Sequence, residues 1–167
     1  MSDEEIREVI PRIFDGYNNY SLIISSKRIA FIQTGSEYAI LGGVVGGLVG
    51  GIIAKKYSKD EADFSNLNLD ELISQKKNNK EIYINAITDI QLKKEIGSFR
   101  LIIYGYKKKN KVKKLLNWYI VPPENYIKEH KSLGLKQKDI FKKYVSECQE
   151  QIDRCLGHLI SMRLDLH

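Results

Sequence analysis

Apolar residues fall along the chain in short alternating runs, one unbroken run and a terminal run of helical period. Tyr20–Ile24 and Arg28–Gln33 are rich in β-branched and aromatic residues and flank Ser25–Lys27, the pattern of a β-hairpin. Ile82, Ile84, Ala86, Ile87 and Ile90 predict a strand, a break near Asn85–Asp89 and a second strand through Leu92. Phe99–Tyr106 and Val112–Val121 predict two more strands around a lysine-rich turn, KKKNK, with Gly97–Ser98 as the preceding turn. Asp15–Asn19 (DGYNN) and Lys76–Lys80 are turn clusters, and Pro122–Pro123 should stop the sheet. Ser2 and Glu5 have capping-box spacing, which predicts a short helix over Asp3–Ile10 ended by Pro11. Asn68 should cap another over Leu69–Lys76, with Glu71 at the third position and Leu69, Leu72 and Ile73 on one face. From about Gln137 a helix carries Phe141, Val145, Cys148, Ile152, Cys155, Leu159, Met162 and Leu166 in alternating steps of four and three, a heptad seam. Its first four apolar residues suffice to cover the open end of a sheet. Arg154–Leu166 is then spare helix, open to self-association.

The unbroken run is Ala39–Ala54, AILGGVVGGLVGGIIA, with no charge and no side-chain hydrogen-bonding group. Its glycines form two rows four apart, Gly42, Gly46 and Gly50, then Gly43, Gly47 and Gly51. Between them lie the pairs Ile40 and Leu41, Val44 and Val45, Leu48 and Val49, and Ile52 and Ile53. As a helix this puts a smooth strip on one side and a branched ridge on the other. Interior glycines cost about 1 kcal/mol each relative to alanine. Lipid could offset that by burying the bulky side chains, at about 1.5–3 kcal/mol each. A second backbone lying close along the strip could do the same. The helix would be about 24 Å long against a hydrocarbon core of about 30 Å, or about 30 Å when counted from Tyr38 to Tyr57. A thin or tilted span, a re-entrant insertion, a helix buried in an oligomer and a glycine-rich loop or strand pair are all open.

Length and charge narrow the classes. The chain of 167 residues suits one domain with an appendage, and a net charge of +6 favours acidic partners such as phospholipid head groups or nucleic acid. Hydrophobic and charged fractions of 43% and 29% are those of a globular protein. Cys148 and Cys155 would sit about 10 Å apart on one helix, beyond disulfide reach. The acidic N-terminus lacks a secretion signal, so the cytoplasmic side is expected, peripheral to a membrane or integral in it.

Lys107, Lys108, Lys109, Lys111, Lys113 and Lys114 crowd one hairpin tip. They suit anionic lipid, at about 1 kcal/mol per lysine near a charged surface, or simply a solvated tip that discourages edge pairing. Tyr104, Tyr106, Trp118 and Tyr119 beside them could stack single-stranded nucleic acid, although some must face the core and no RNP-type motif accompanies them. Cys148, Cys155 and His158 lack zinc-ligand spacing and read as buried small residues, while His130 and His167 read as loop and terminus. No nucleophile–base pair, paired carboxylates or phosphate loop stands out. No enzyme activity, cofactor or metal is expected.

The runs YSLIISSKRIAFI, EIYINAITDIQLKK, FRLIIYGYKKK and LLNWYIV, followed by the terminal helix, resemble the pleckstrin-homology-like (PH-like) families of prokaryotes and the related GRAM domains. Ser26–Lys27–Arg28 and Ile87–Thr88–Asp89–Ile90 carry the likeness best, and the apolar insertion and the LDELI helix also look familiar from that group. The resemblance spans about Arg12–Gln151. It implies an α+β fold: an antiparallel β-barrel of about seven strands capped by a C-terminal α-helix, with an inserted glycine-rich apolar helix. Residues 12–152 would form the domain and 36–80 the insertion, with 1–11 a helix or arm and 153–167 a helix extension. Phosphoinositide-binding members carry Lys and Arg in the first loop between strands. Asp15–Ser21 (DGYNNYS) has none, so that pocket does not carry over. The expected function is a non-enzymatic membrane-association module that uses the apolar segment and the lysine hairpin. The rival class is a soluble module that self-associates through the glycine strip or the C-terminal helix. Nucleic-acid binding through the hairpin is a third.

Overall fold

The computed structural model describes residues 4–35, 68–108 and 110–165; the segment Ala39–Ala54, Lys109, Leu166 and His167 lie outside them. Strands β1 (Ile6–Phe14), β2 (Asn19–Ser25) and β3 (Arg28–Gly35) are followed by helix α1 (Leu69–Ser74) and strand β4 (Lys80–Tyr83). A single 3-10 turn, Ile84–Ala86, leads into β5 (Ile87–Glu95), β6 (Ser98–Tyr106) and β7 (Val112–Ile120). Helices α2 (Glu124–Ser132) and α3 (Gln137–Leu156) come next, then a 3-10 turn and β8 (Ile160–Met162). The protein is an α+β fold with an eight-stranded mixed, open sheet in the order β4-β3-β2-β1-β7-β6-β5-β8. All neighbours are antiparallel except β8, which runs parallel to β5. Only the 3-10 turn separates β4 from β5 in sequence, yet six strand positions separate them in the sheet. The sheet must therefore curl, bringing its two meanders face to face.

The main core fills that curl. Tyr20, Leu22, Phe31, Phe99, Ile103 and Trp118 meet there with the inner stripe of α3, Ile140, Tyr144, Cys148, Ile152 and Leu156. Trp118 stacks on Tyr20 at 4.6 Å between ring centroids and meets Phe31 edge-on at 5.1 Å. A smaller cluster on the outer face joins Val9, Ile23, Ala30 and Ile32 to Leu69 and Leu72 of α1. β2 is thus buried on both faces. α1 begins as its sequence indicates: the Asn68 side chain accepts a hydrogen bond from the Glu71 N–H. Asp15 accepts from the Tyr17 and Asn18 N–H groups to form the β1–β2 turn, in which Gly16 supplies a φ of 107°. Burial pushes the Asp15 carboxyl up, but those two N–H groups and the Tyr20 hydroxyl outweigh it and hold its pKa below the usual carboxylate value.

Arg28 pins α1, β4 and the N-terminal arm to the sheet. Its guanidinium donates to Glu4 at 2.9 and 3.0 Å, to Asp70 at 2.6 Å and to Glu81 at 2.6 Å. Burial alone would lower its pKa, but these bonds reverse that and raise it.

Two expectations are corrected. The N-terminal residues form strand β1, not a helix ended by Pro11. Glu5, read as the third position of a capping box, instead exchanges hydrogen bonds with Ser26 through its backbone, and its neighbour Glu4 bonds Arg28; Ser2 lies outside the described residues. Pro11 sits where the β1–β2 register shifts, between Ile10 and Ile13, and its missing N–H is tolerated there. The second correction concerns the C-terminus. α3 ends at Leu156, and the chain turns through Gly157–Leu159 into β8, so no helix continues through residues 157–165. Arg163 fixes the turn by donating to Asp153 at 2.8 Å and to the Gly157 carbonyl at 3.0 Å. The inner stripe of α3 runs in steps of four rather than along the heptad, with Phe141, Val145 and Cys155 half-buried beside it. The expected extension of the α-helix over residues 157–165 does not form.

Candidate functional site

The β6–β7 hairpin forms because β-branched and aromatic residues pair across it, Ile103 with Leu116 and Leu101 with Trp118. Leu115 is an extra residue between Leu116 and Lys114, a bulge that re-aims the last three pairs. Beyond it the hairpin is polar. Lys107, Lys108, Lys111, Lys113 and Lys114 are all exposed, and Asn110 at the turn takes a φ of 52°. Among the described residues none of these lysines is in an ion pair; Lys109 lies outside those residues.

The register fixes where this tip points. Phe14 pairs with both Asn19 and Tyr119, and Asn19 pairs with Gly35. The strand ends at Phe14, Asn19 and Gly35 therefore lie together. α3 covers the other ends: Arg154 lies 3.8 Å from Glu8 early in β1, and a side chain at Gly97, in the β5–β6 turn, would touch Phe141. The lysine tip and Gly35 are thus both on strand ends away from α3. The chain leaves the described fold for the glycine-rich segment at Gly35 and returns at Asn68.

Beside the tip is a cleft of about 500 Å³ between β4 and the end of the β6–β7 hairpin. Its walls bring Lys80 to Lys107 and Lys114, and its floor is Phe31, Ile82, Leu115 and Leu116. Lys80 Nζ lies 5.1 Å above the Trp118 ring. Among the described residues Glu81 is the one carboxylate in the lining, and it is bound to Arg28. Close backbone approach shapes the wall: a Cβ on Gly105 would lie 2.2 Å from the Ala86 carbonyl oxygen.

Lys80 was hidden in the sequence, since it reads as the last residue of a turn; only the β3–β4 ladder, which pairs it with Phe31, brings it to the hairpin. Of the four aromatics beside the tip, Tyr104 is half-buried, with Lys114 Nζ 6.0 Å from its ring centroid. Trp118 is core, Tyr119 accepts a hydrogen bond from Arg100 at 2.8 Å, and Tyr106 is exposed. No group of His, Cys, Asp and Glu able to hold a metal occurs among the described residues. His130 is buried in α2, where Nδ1 lies 2.8 Å from the Tyr126 carbonyl, and the Tyr126 hydroxyl donates to Glu147. Burial and that carboxylate push the Tyr126 phenol well up, which suits a structural tie between α2 and α3. A second groove, about 510 Å³, is lined by Phe99, Phe141, Val145 and Leu164 at the α3 end, away from the clustered lysines of the hairpin. Among the described residues no helix is long and apolar enough to cross a membrane. Comparison with family models, with characterised proteins and with solved structures gives no match to this chain.

Proposed function

We propose that this protein is a non-enzymatic membrane-association module, and we read its curled sheet and C-terminal helix as a PH/GRAM-like open barrel. Seven antiparallel strands in one continuous run, followed by α3, support the fold reading. The observation that carries the functional one is shared placement. The exposed lysine tip and the point at which the chain departs for Ala39–Ala54 both lie away from α3. Anionic head groups attract the lysines, at about 1 kcal/mol each, while the apolar segment Ile40–Ile53 enters lipid. Neither signal need be strong alone, since two together give stable attachment.

Flotation of the full chain with vesicles tests this. Vesicles containing phosphatidylglycerol should carry the protein, neutral phosphatidylcholine vesicles should carry far less, and salt should weaken the charged component. Deleting Ala39–Ala54 together with changing Lys108 and Lys111 to Gln should abolish binding. Binding that survives the combined change would overturn the mechanism. No binding, with a stable oligomer that needs the glycine rows, would favour the self-associating class instead.

A further inference from the structure

We infer that the groove between the β5–β6 turn and the start of α3 docks an acidic segment of another protein that carries bulky apolar side chains. The inference goes beyond the membrane reading and does not need it. Ile96, at the tip of the β5–β6 turn, is 103% exposed. Gly97 supplies the φ of 70° that closes the turn, so the isoleucine side chain serves neither the turn nor the core. Phe141 and Val145 stand one turn apart on α3 and are half-buried, because the inner stripe runs through Ile140, Tyr144 and Cys148 instead. Ile96, Phe141 and Val145 thus bring accessible apolar surface to one concavity of about 510 Å³. Lys94, Lys138 and Lys142 line it, all exposed. Among the described residues none of the three is in an ion pair. Glu95 is held by Arg100 at 3.0 Å, which leaves Asp165 against three lysines in the lining. Apolar surface with an excess of positive charge around it selects a partner that brings carboxylates and apolar side chains together. Position favours a protein over a lipid. The groove lies at the end of the strands that α3 covers and the lysine tip at the other, so a chain held to a bilayer by the tip turns the groove away from it. Ile96 also projects from the rim, and only a partner with a surface of its own covers it along with the groove.

The probe is a fluorescein-labelled peptide, Asp-Glu-Leu-Phe-Glu-Glu-Leu-Leu-Asp-Asp, titrated with the full chain and followed by polarisation. Parallel probes exchange its Leu and Phe for Ser, or its Asp and Glu for Lys. The groove requires saturable binding of the first peptide and much weaker binding of the other two. Ile96→Ser, at a side chain that lies wholly in solvent, should weaken binding by about fivefold or more, the scale of an interface anchor. Changing Lys138 and Lys142 to Gln should weaken it by about threefold or more and flatten its salt dependence. Changing Lys108 and Lys111 to Gln removes the same charge at the far end and should alter affinity less than about twofold. Equal losses from the two lysine pairs would mean diffuse attraction and overturn the groove. So would unsaturable binding of the first peptide, or an Ile96→Ser chain that binds it as the parent does. Sedimentation of the chain alone tests the other occupant: a dimer that Ile96→Ser dissociates would put a second copy in the groove and overturn the docking of a partner. Chain already bound to phosphatidylglycerol vesicles should take up the peptide as the free chain does. Displacement of one by the other would put both contacts at one end and overturn the proposal. Failure to float, beside intact peptide binding, sinks the membrane reading and leaves the groove standing.

Discussion

Replacing Arg28 with Met is expected to lower the unfolding free energy by about 3–5 kcal/mol, the usual consequence of leaving a buried charge without its partner. The cost centres on Glu4. Arg28 and Glu4 each expose only 7% of their side chains, so neither carboxylate oxygen could turn to water when the guanidinium is removed. Asp70 and Glu81 are more open, at 73% and 34%, and would be rehydrated. Glu81→Gln should therefore cost much less, near the scale of an exposed pair, about 1 kcal/mol or below. The same substitution at Arg28 should speed hydrogen exchange in α1 and β4, which the network ties to β3. Urea unfolding followed by Trp118 fluorescence measures the difference. A loss under about 1 kcal/mol would show that the arm carrying Glu4 is not held as described.

Gly105→Ala should destabilise the fold by about 1–3 kcal/mol or more, although the same change at most exposed strand sites is mild. The added methyl would lie 2.2 Å from the Ala86 carbonyl oxygen and 2.8 Å from the Leu115 side chain. Leu115 can change rotamer. The carbonyl belongs to the 3-10 turn joining β4 to β5, and its retreat would open the corner at which the sheet curls. The register pairs Gly105 with Ile87 just after that turn, so exchange should rise at Ile87 and around the cleft together. A neutral substitution would mean that the corner is slack.

The hairpins were legible because their signals are local. Alternating β-branched residues, a glycine at a turn and an asparagine ahead of LDELI each act within a few residues of one another. The lysine tip was legible for the same reason, since its charges are adjacent in the chain. What escaped was decided at a distance. Glu5, with Ser2, reads as a helix start, but Ser26, more than twenty residues on, takes its backbone groups, and Arg28 holds the neighbouring Glu4. The heptad spacing continues through Leu159 and Met162, but Arg163 clamps a turn at Gly157 and the edge of β5 takes Ile160 as a parallel partner. α2 also escaped, its residues 124–132 carrying weak helical period between Pro123 and Gly134. Lys80 needed a ladder to reveal its place. Local chemistry thus specified most of the elements, and the cleft depends on how the sheet curls.

The most direct test of the account is hydrogen exchange of the full chain with and without phosphatidylglycerol vesicles. If the end remote from α3 meets the membrane, protection should appear over residues 104–114 and beside Gly35. The β5–β6 turn at Gly97 and the outer face of α3 should be unchanged. Protection confined to the β5–β6 turn and α3, with the lysine hairpin exchanging as in solution, would contradict it.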